Sequence, residues 1–330
     1  MSEYKVSVIV ALYNVEGFVQ QTLESLFNQT QDKVQYIIID DGSTDNTLKI
    51  VNEAIDKFLC KKDVILISRE NKGVSYSRQQ GVDLALGDYI IHLDGDDTVE
   101  SNWLSTLYQK ALDSKADITI CDYSLELSNL KKVIEQRFDV NDPIKALLNN
   151  RIQGFLWNKL ISRELLIKND VLFDTNTSYL EDFLFCLQCF LLTDKVVYID
   201  KALINYNKRN IKSITSTVDD KKIIELDYAS SQIKHLLELN GMLSRYLIDW
   251  HHLRLHQVVF ILKNSSVCYK LLYKYYSTSL FYLDSFDGNN IDKIILALFK
   301  NKRYYCLKFI INSTNRLVKI VRKFKGMKIV

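Results

Sequence analysis

A mostly parallel α/β sheet flanked by helices, followed by a helical C-terminal region, is predicted by three observations on this 330-residue chain. Short apolar runs alternate with helically spaced apolar positions through the first third. The connections between them are short, and six of the ten glycines fall before residue 100, mostly in those connections. Strand–helix alternation with short links is the pattern of a parallel sheet covered by helices. Glycines gather where backbone turns sharply or approaches a ligand closely.

Residues 6–12 read as the first strand. Asn14 can then cap a helix whose apolar positions Val15, Phe18, Val19, Leu23 and Leu26 recur at helical spacing. Residues 36–39 form a second strand, which leads through Asp40-Asp41-Gly42-Ser43-Thr44-Asp45 to a helix carrying Leu48, Val51, Ile55 and Phe58. A third strand over 64–68, a helix over 73–86 and a fourth strand over 89–93 continue the pattern. After a helix over 101–113 and a strand over 117–122, the stretch to Asn141 carries no assignable period. Pro143, the only proline, opens a short helix. Residues 151–210 hold Trp157-Asn158-Lys159-Leu160, a helix from Ser162, a loop at Tyr179-Leu180-Glu181-Asp182, a helix to Leu192, and two short strands near 196–199 and 203–206. From about 219 the chain reads as successive amphipathic helices.

With 47% hydrophobic residues the chain can bury a full core, and its net charge is only +3. The charge is uneven: 24 basic against 33 acidic residues in 1–220, and 19 against 7 in 221–330. The second half therefore favours an anionic partner. From Lys293 onward eleven basic residues meet no acidic one, and Leu317, Ile320, Val321 and Phe324 recur on one helical face beside Arg316, Lys319 and Lys323. That pattern is expected to attach to an anionic membrane surface. The six cysteines have no framework spacing and no signal peptide precedes the first strand, so a reducing cytoplasm is expected. Cys186-Leu187-Gln188-Cys189 lies in an apolar helical run and reads as core packing. No uncharged apolar run of about eighteen residues is present to span a bilayer.

The chemistry concentrates in Asp94-Gly95-Asp96-Asp97, at the end of the apolar stretch Tyr89-Ile90-Ile91-His92-Leu93. Three acids on one turn repel one another unless a cation or water neutralises them. Oxygen-only ligands suit a hard divalent cation, Mg²⁺ or Mn²⁺. With the turn at Asp40-Asp41, two acidic turns at parallel strand ends would share one crevice, where open α/β sheets bind ligands. His252 and His256 stand at i, i+4 but read as ordinary helix residues, and His92 as a structural strand residue.

These residues carry a resemblance to the family 2 glycosyltransferases of GT-A fold, particularly bacterial enzymes of capsular and exopolysaccharide assembly. The matching stretches are residues 6–14, Asp40 to Asp45, Asn71-Lys72-Gly73-Val74-Ser75 with Arg78 and Gly81, Asp94 to Asp97, Trp157 to Leu160, and Glu181-Asp182. The resemblance covers roughly residues 4–215. It implies a GT-A catalytic domain over 1–218, with a donor half to 122 and an acceptor half from 123; beyond that the residues themselves read as a basic helical region over 219–330.

The resemblance also implies a nucleoside-diphosphate sugar donor, usually a UDP-sugar, and inversion by one in-line displacement. Asp94, Gly95 and Asp96 match the DXD motif, with Asp96 as metal ligand and Asp94 on ribose or metal. Asp40 and Asp41 match acids that hold uracil and ribose, and the backbone around Ala11 and Tyr13 looks like the base-binding edge. Arg78 matches a basic residue near the diphosphate, and Asp182 of the ED motif the general base. Glu181, Trp157, Lys208, Arg209 and Ser213 are expected to contact the acceptor or support its loop. The implied acceptor is a glycan or lipid-linked oligosaccharide at the inner membrane face.

Other classes fit less well. A sugar nucleotidyltransferase would need a Gly-rich basic loop after Leu12, which is missing. A catalytically silent nucleotide- or glycan-binding module would not need intact acids at both motifs. No nucleic-acid-reading motif accompanies the basic end.

Overall fold

The structure, a computed structural model, describes residues 3–58, 63–127, 130–175, 179–208, 219–264 and 268–324. In chain order the elements begin with β1 (Val6–Leu12), α1 (Val19–Phe27), β2 (Val34–Asp40), α2 (Thr47–Phe58), β3 (Asp63–Ser68), α3 (Val74–Leu84) and β4 (Tyr89–Asp94). They continue with β5 (Thr98–Val99), α4 (Trp103–Ser114), β6 (Ile118–Leu127), β7 (Leu130–Ile134), α5 (Pro143–Leu148), β8 (Lys159–Ser162), α6 (Arg163–Lys168), α7 (Glu181–Leu192) and β9 (Val196–Asn207). Helices α8 (Asp220–Leu239), α9 (Leu243–Asn264), α10 (Tyr269–Tyr276), α11 (Asn290–Lys300) and α12 (Tyr304–Phe324) follow, with a 3₁₀ stretch at Ser277–Ser285 before α11.

The described strands form one nine-stranded sheet in the order β3-β2-β1-β4-β8-β6-β9-β5, with β7 beside β6. The β3-β2-β1-β4 block is parallel throughout, as is β6 with β9, whereas β8 runs antiparallel to both β4 and β6. The two central strands, VSVIVAL and VQYIIID, are buried almost along their whole length. Such strands must be covered on both faces, which is why they read as continuous apolar runs. Val6, Val8, Val10 and Leu12 join Val19, Leu23 and Leu26 of α1 and Tyr36 and Ile38 of β2 in one core.

Three local expectations are corrected, and one unassigned stretch is filled. Asn14 does not cap α1, which begins at Val19 after Phe18. It adopts a left-handed conformation (φ 51°), and its Oδ1 accepts from Thr44 N–H at 2.8 Å. The unassigned stretch before Asn141 contains the end of β6, which runs on to Leu127, and β7, which pairs with it. The two short strands at 196–206 are the single strand β9; the apparent break is a register shift where Cys121 pairs Ile199 while Asp122 pairs Ala202. The exposed pair Asp200-Lys201 sits at that irregularity, which is why it reads as a break. Glu181 and Asp182 open α7 instead of lying in a loop, after Leu180 in the left-handed region (φ 61°).

The chain divides into two compact units. One comprises Met1–Leu127, Lys131–Ile144 and Ile152–Asn210; the other comprises Ser128–Leu130, Lys145–Arg151 and Ile211–Val330. In the second unit Leu255, Val258, Ile261, Leu272, Tyr276, Ile295 and Phe299 are buried. Arg254, also buried, donates to Asp227 at 2.8 Å and lies over the rings of Trp250 and Tyr276. Among the described residues no helix is long and apolar enough to cross a membrane.

Candidate active site

Strand register brings the two acidic turns together. Ala11 of β1 pairs with Asp94 of β4, and Leu12 with Asp40 of β2, so both turns leave the same carboxyl edge of the sheet. Tyr13 follows β1 half-exposed at that edge. Hydrogen bonds lace the connection after β1 to the Asp40 turn: Asn14 N–H donates to Ser43 Oγ at 3.0 Å and Val15 N–H to Thr47 Oγ1 at 2.8 Å.

Asp40 and Asp41 are almost fully buried. Asp40 accepts from Ser68 Oγ at 3.1 Å and from Ser43 N–H at 3.3 Å. Asp41 accepts from Arg69, from Lys72 N–H at 2.9 Å and from Gly73 N–H at 2.8 Å. Asp41 thereby fixes the segment that starts α3, the helix carrying Arg78.

Arg78 is 7% exposed and joins three elements. Its Nη1 donates to Glu181 Oε1 at 2.8 Å and its Nη2 to Asp94 Oδ1 at 3.0 Å. Burial opposes its charge, but the carboxylates of Asp94, Glu181 and Asp182 outweigh burial and raise its pKa. A forked guanidinium suits this role, because one side chain donates to two acids in separate directions.

Glu181 is 9% exposed, and its carboxyl is pushed up to about 7, first by burial and then by the charge of Asp182, against the pull of Arg78. Asp182 is part-buried, and its carboxyl is also raised by burial; Arg78 and a 2.8 Å hydrogen bond from Phe183 N–H work the other way. Both acids lie in the first turn of α7, where the helix dipole favours negative charge. A part-buried carboxylate at a helix start is suited to accept a proton from a hydroxyl that comes within hydrogen-bond reach.

The acids of the Asp94–Asp97 turn are not equivalent. Gly95 is buried, its carbonyl accepts from Thr22 Oγ1 at 3.0 Å, and a Cβ there would come within 2.4 Å of Leu12. Asp97 is fully buried; its Oδ1 accepts from Asn207 N–H at 2.8 Å, and among the described residues its Oδ2 has no hydrogen-bond partner. Burial, then the charges of Asp94 and Asp96, push its pKa well above the carboxylate range. Asp97 thus braces the turn against the end of β9 through that bond, and Asp94 and Asp96, only part-buried, are left as the turn's accessible oxygen donors. Among the described residues no three His, Cys, Asp or Glu side chains are arranged to hold a metal ion. A hard cation fits this two-carboxylate, oxygen-only set when a ligand such as a diphosphate contributes further oxygens.

Trp157 is 2% exposed, stacked on Phe155 at 4.7 Å and close to Tyr123 and Tyr206, so it packs the core beneath the site and presents no face to an acceptor. Lys208 is exposed at the end of β9, its N–H bonded to Glu126 O at 3.2 Å; Arg209 and Ser213 lie outside the described residues. His92 is buried between Phe173 and Phe185, and burial holds it neutral. His252 bonds Asn149 and Ser285. Cys186 and Cys189 are buried free thiols, as their apolar helical setting indicates. Lys159, fully buried, was not legible as special, although a lysine inside the run Trp157-Asn158-Lys159-Leu160 was a signal for it.

A mostly parallel sheet with two acidic turns at one edge, and a second acid pair joined to one of them by arginine, is the arrangement of a group-transfer enzyme of the α/β class. The chain belongs to glycosyl transferase family 2, whose model matches residues 7–184, more than half of its length. It is 28% identical over 343 residues to the cholesterol galactosyltransferase of Borreliella burgdorferi, covering 97% of this chain and 92% of that one. The fold is GT-A. It is similar to S. aureus TarS 1-349 in complex with UDP-GlcNAc (TM-score 0.61, 19% identity, 94% and 92% of the two chains). It is also similar to a mannosyltransferase from Pyrobaculum calidifontis in complex with GDP-Man and Mn²⁺ (TM-score 0.56, 14% identity, 98% and 88% of the two chains).

Proposed function

We propose that this glycosyltransferase moves a sugar, with inversion, from a UDP-sugar to a hydroxyl of a glycan or lipid-linked acceptor in cell-surface polysaccharide synthesis. The observation that carries the reading is the Arg78 bridge, which joins the Asp94 turn to the Glu181-Asp182 helix start. A donor diphosphate at Asp94 and Asp96 would then lie beside an acid able to activate an acceptor. The relatives support this chemistry: one is named for galactosyl transfer, and one similar fold holds UDP-GlcNAc.

In this mechanism the Ala11–Tyr13 edge and Asp40 receive the nucleoside, and Asp41 acts through the Arg69–Gly73 segment. The Asp182 carboxylate takes the proton of the acceptor hydroxyl as its oxygen attacks the anomeric carbon. The bond from that carbon to the diphosphate oxygen breaks, and its electron pair leaves with UDP. Mg²⁺ or Mn²⁺ held by Asp94 and Asp96 would supply neutralisation of the leaving diphosphate. Arg78 holds both motifs in register and keeps a fixed positive charge near the developing negative one.

The location proposed is peripheral, at the inner face of the cytoplasmic membrane. Tyr305 and Phe309 stand one turn apart on α12 at 95% and 73% exposure, with Lys308 exposed beside them. The side chains of 316–324, where the sequence places its basic amphipathic face, lie outside the described ones. The test of function is UDP release from UDP-glucose, UDP-galactose and UDP-N-acetylglucosamine, with and without chelator. Donor binding without release under any condition would instead favour a silent nucleotide-binding module.

A further inference from the structure

The most unusual charge in the first unit is Lys159, which begins β8 at 1% exposure. Its ammonium donates to Gln153 O at 2.6 Å, Phe155 O at 2.7 Å and Asn158 Oδ1 at 2.9 Å. Those three bonds exhaust its three hydrogens, and all three acceptors are neutral. A buried cation held this way is costly compared with an apolar residue of the same volume. Packing alone does not require it.

The segment it gathers bears on the proposed base. Gly154 lies between the two carbonyls that Lys159 binds, and its own carbonyl accepts from Cys186 Sγ at 3.2 Å, on α7. A Cβ at Gly154 would fall 2.9 Å from Phe183 Cα, so the segment lies directly on the backbone beside Asp182. The other end is tied to β6, where Asn158 Nδ2 donates to Cys121 O at 3.0 Å and Cys121 N–H to Asn158 O at 3.1 Å. Lys159 is also within electrostatic reach of Asp182: its charge favours the ionised Asp182, opposing burial. Burial in turn lowers the Lys159 pKa, and Asp182 supports its charge.

We propose that Lys159 is a positioning residue for Asp182: its ammonium clamps residues 153–158 onto the first turn of α7 and sets a positive charge behind that turn. This rests on the reading of Asp182 as general base. Lys159 touches no reacting atom in this scheme; it acts through Asp182 and the backbone at Phe183.

The test uses the full chain with Lys159→Met, Gly154→Ala, Asp182→Asn and Lys159→Met/Asp182→Asn. The readouts are UDP release from the three UDP-sugars with water as acceptor, UDP binding by calorimetry, and carboxyl NMR with ¹³C-labelled aspartate. Lys159→Met should lower turnover at least tenfold while UDP affinity stays within about twofold. The Asp182 carboxyl resonance, identified by its loss in Asp182→Asn, should titrate at higher pH once the cation is gone, and any acid limb of turnover should move up with it.

Gly154→Ala, which alters packing but not charge, should lower turnover without that shift. The double variant should be no slower than Asp182→Asn alone, since Lys159 has no other route to the reaction. An unmoved Asp182 titration in folded Lys159→Met, or a double variant much slower than Asp182→Asn, overturns the proposal. Should Lys159→Met fail to fold, full turnover by Gly154→Ala overturns it. Failure of the base reading looks different: Asp182→Asn itself would retain wild-type turnover.

Discussion

The Arg78 guanidinium meets the Glu181 carboxylate at 2.8 Å across 103 positions of sequence, and both groups are buried. Truncating one member of such a pair leaves the other charge uncompensated, at a cost of about 3–5 kcal/mol. Arg78→Met is therefore expected to lower unfolding stability by that order in urea melts and to abolish UDP release. Arg78→Lys should recover part of the stability, because an ammonium can neutralise one acid but cannot fork to Glu181 and Asp94 together. Equal stability of wild type and Arg78→Met would show that the bridge contributes nothing.

The same burial gives a pH dependence. Glu181 has its pKa raised from 4.5 to about 7 in the folded chain, with burial the main cause. Between those values the folded state binds more protons than the unfolded state, so stability is full below about pH 4.5 and falls as pH rises towards 7. Asp182 and Asp97 are displaced in the same direction. Glu181→Gln should flatten the slope of unfolding free energy between pH 5 and 7 by up to about one proton. An unchanged slope in urea melts across that range would refute the assignment.

Two acids of one turn should answer differently to substitution. Burial pushes the Asp97 carboxyl up and its Oδ1 accepts from Asn207 N–H, a bond an amide oxygen can keep, so Asp97→Asn is expected to preserve the fold and any stimulation of UDP release by Mn²⁺. Asp96→Asn should abolish that stimulation with no loss of stability, since removing one charge from a crowded turn relieves repulsion. Full activity of Asp96→Asn in excess chelator would sink the metal assignment.

How much of this was readable from sequence depends on the range of the interaction. The strands and turns at Asp40 and Asp94 were legible because continuous apolar runs and Asp-Gly turns are local signals. The Arg78 bridge was not, because it joins a helix, a strand end and a second helix start that are adjacent only after the sheet forms. Asn14 misled for the same reason: its side chain answers the β2–α2 turn instead of its own helix. The one strand at 196–207 looked like two because its irregular register is set by its partner β6. Lys159 carried a weak signal, a charge in an apolar run, with nothing local to say that three neutral oxygens await it.

Membrane attachment is testable on exposed side chains without disturbing the helical core. Ile295, Leu296 and Phe299 of α11 are buried, so removing everything from 293 would damage the second unit. Tyr305, Lys308 and Phe309 are exposed and replaceable. Tyr305→Ser/Lys308→Glu/Phe309→Ser is expected to weaken sedimentation with vesicles containing phosphatidylglycerol, most clearly at low salt, and to leave the melting curve unchanged. Equal sedimentation of variant and wild type would exclude this face.

Asp182 carries the last prediction. It stands in the first turn of α7, beside the Arg78 bridge and next to the segment gathered by Lys159, with burial as the main influence raising its carboxyl pKa. General-base assistance contributes about 10²–10⁴-fold, so Asp182→Asn should lower kcat by that order. The amide keeps nearly the same shape and can still accept from Phe183 N–H, so UDP affinity should remain near wild type. Calorimetry with UDP beside UDP-release turnover separates the possibilities. If Asp182→Asn loses UDP binding as severely as turnover, the residue belongs to the nucleotide site, and the proton of the acceptor must leave by another acid.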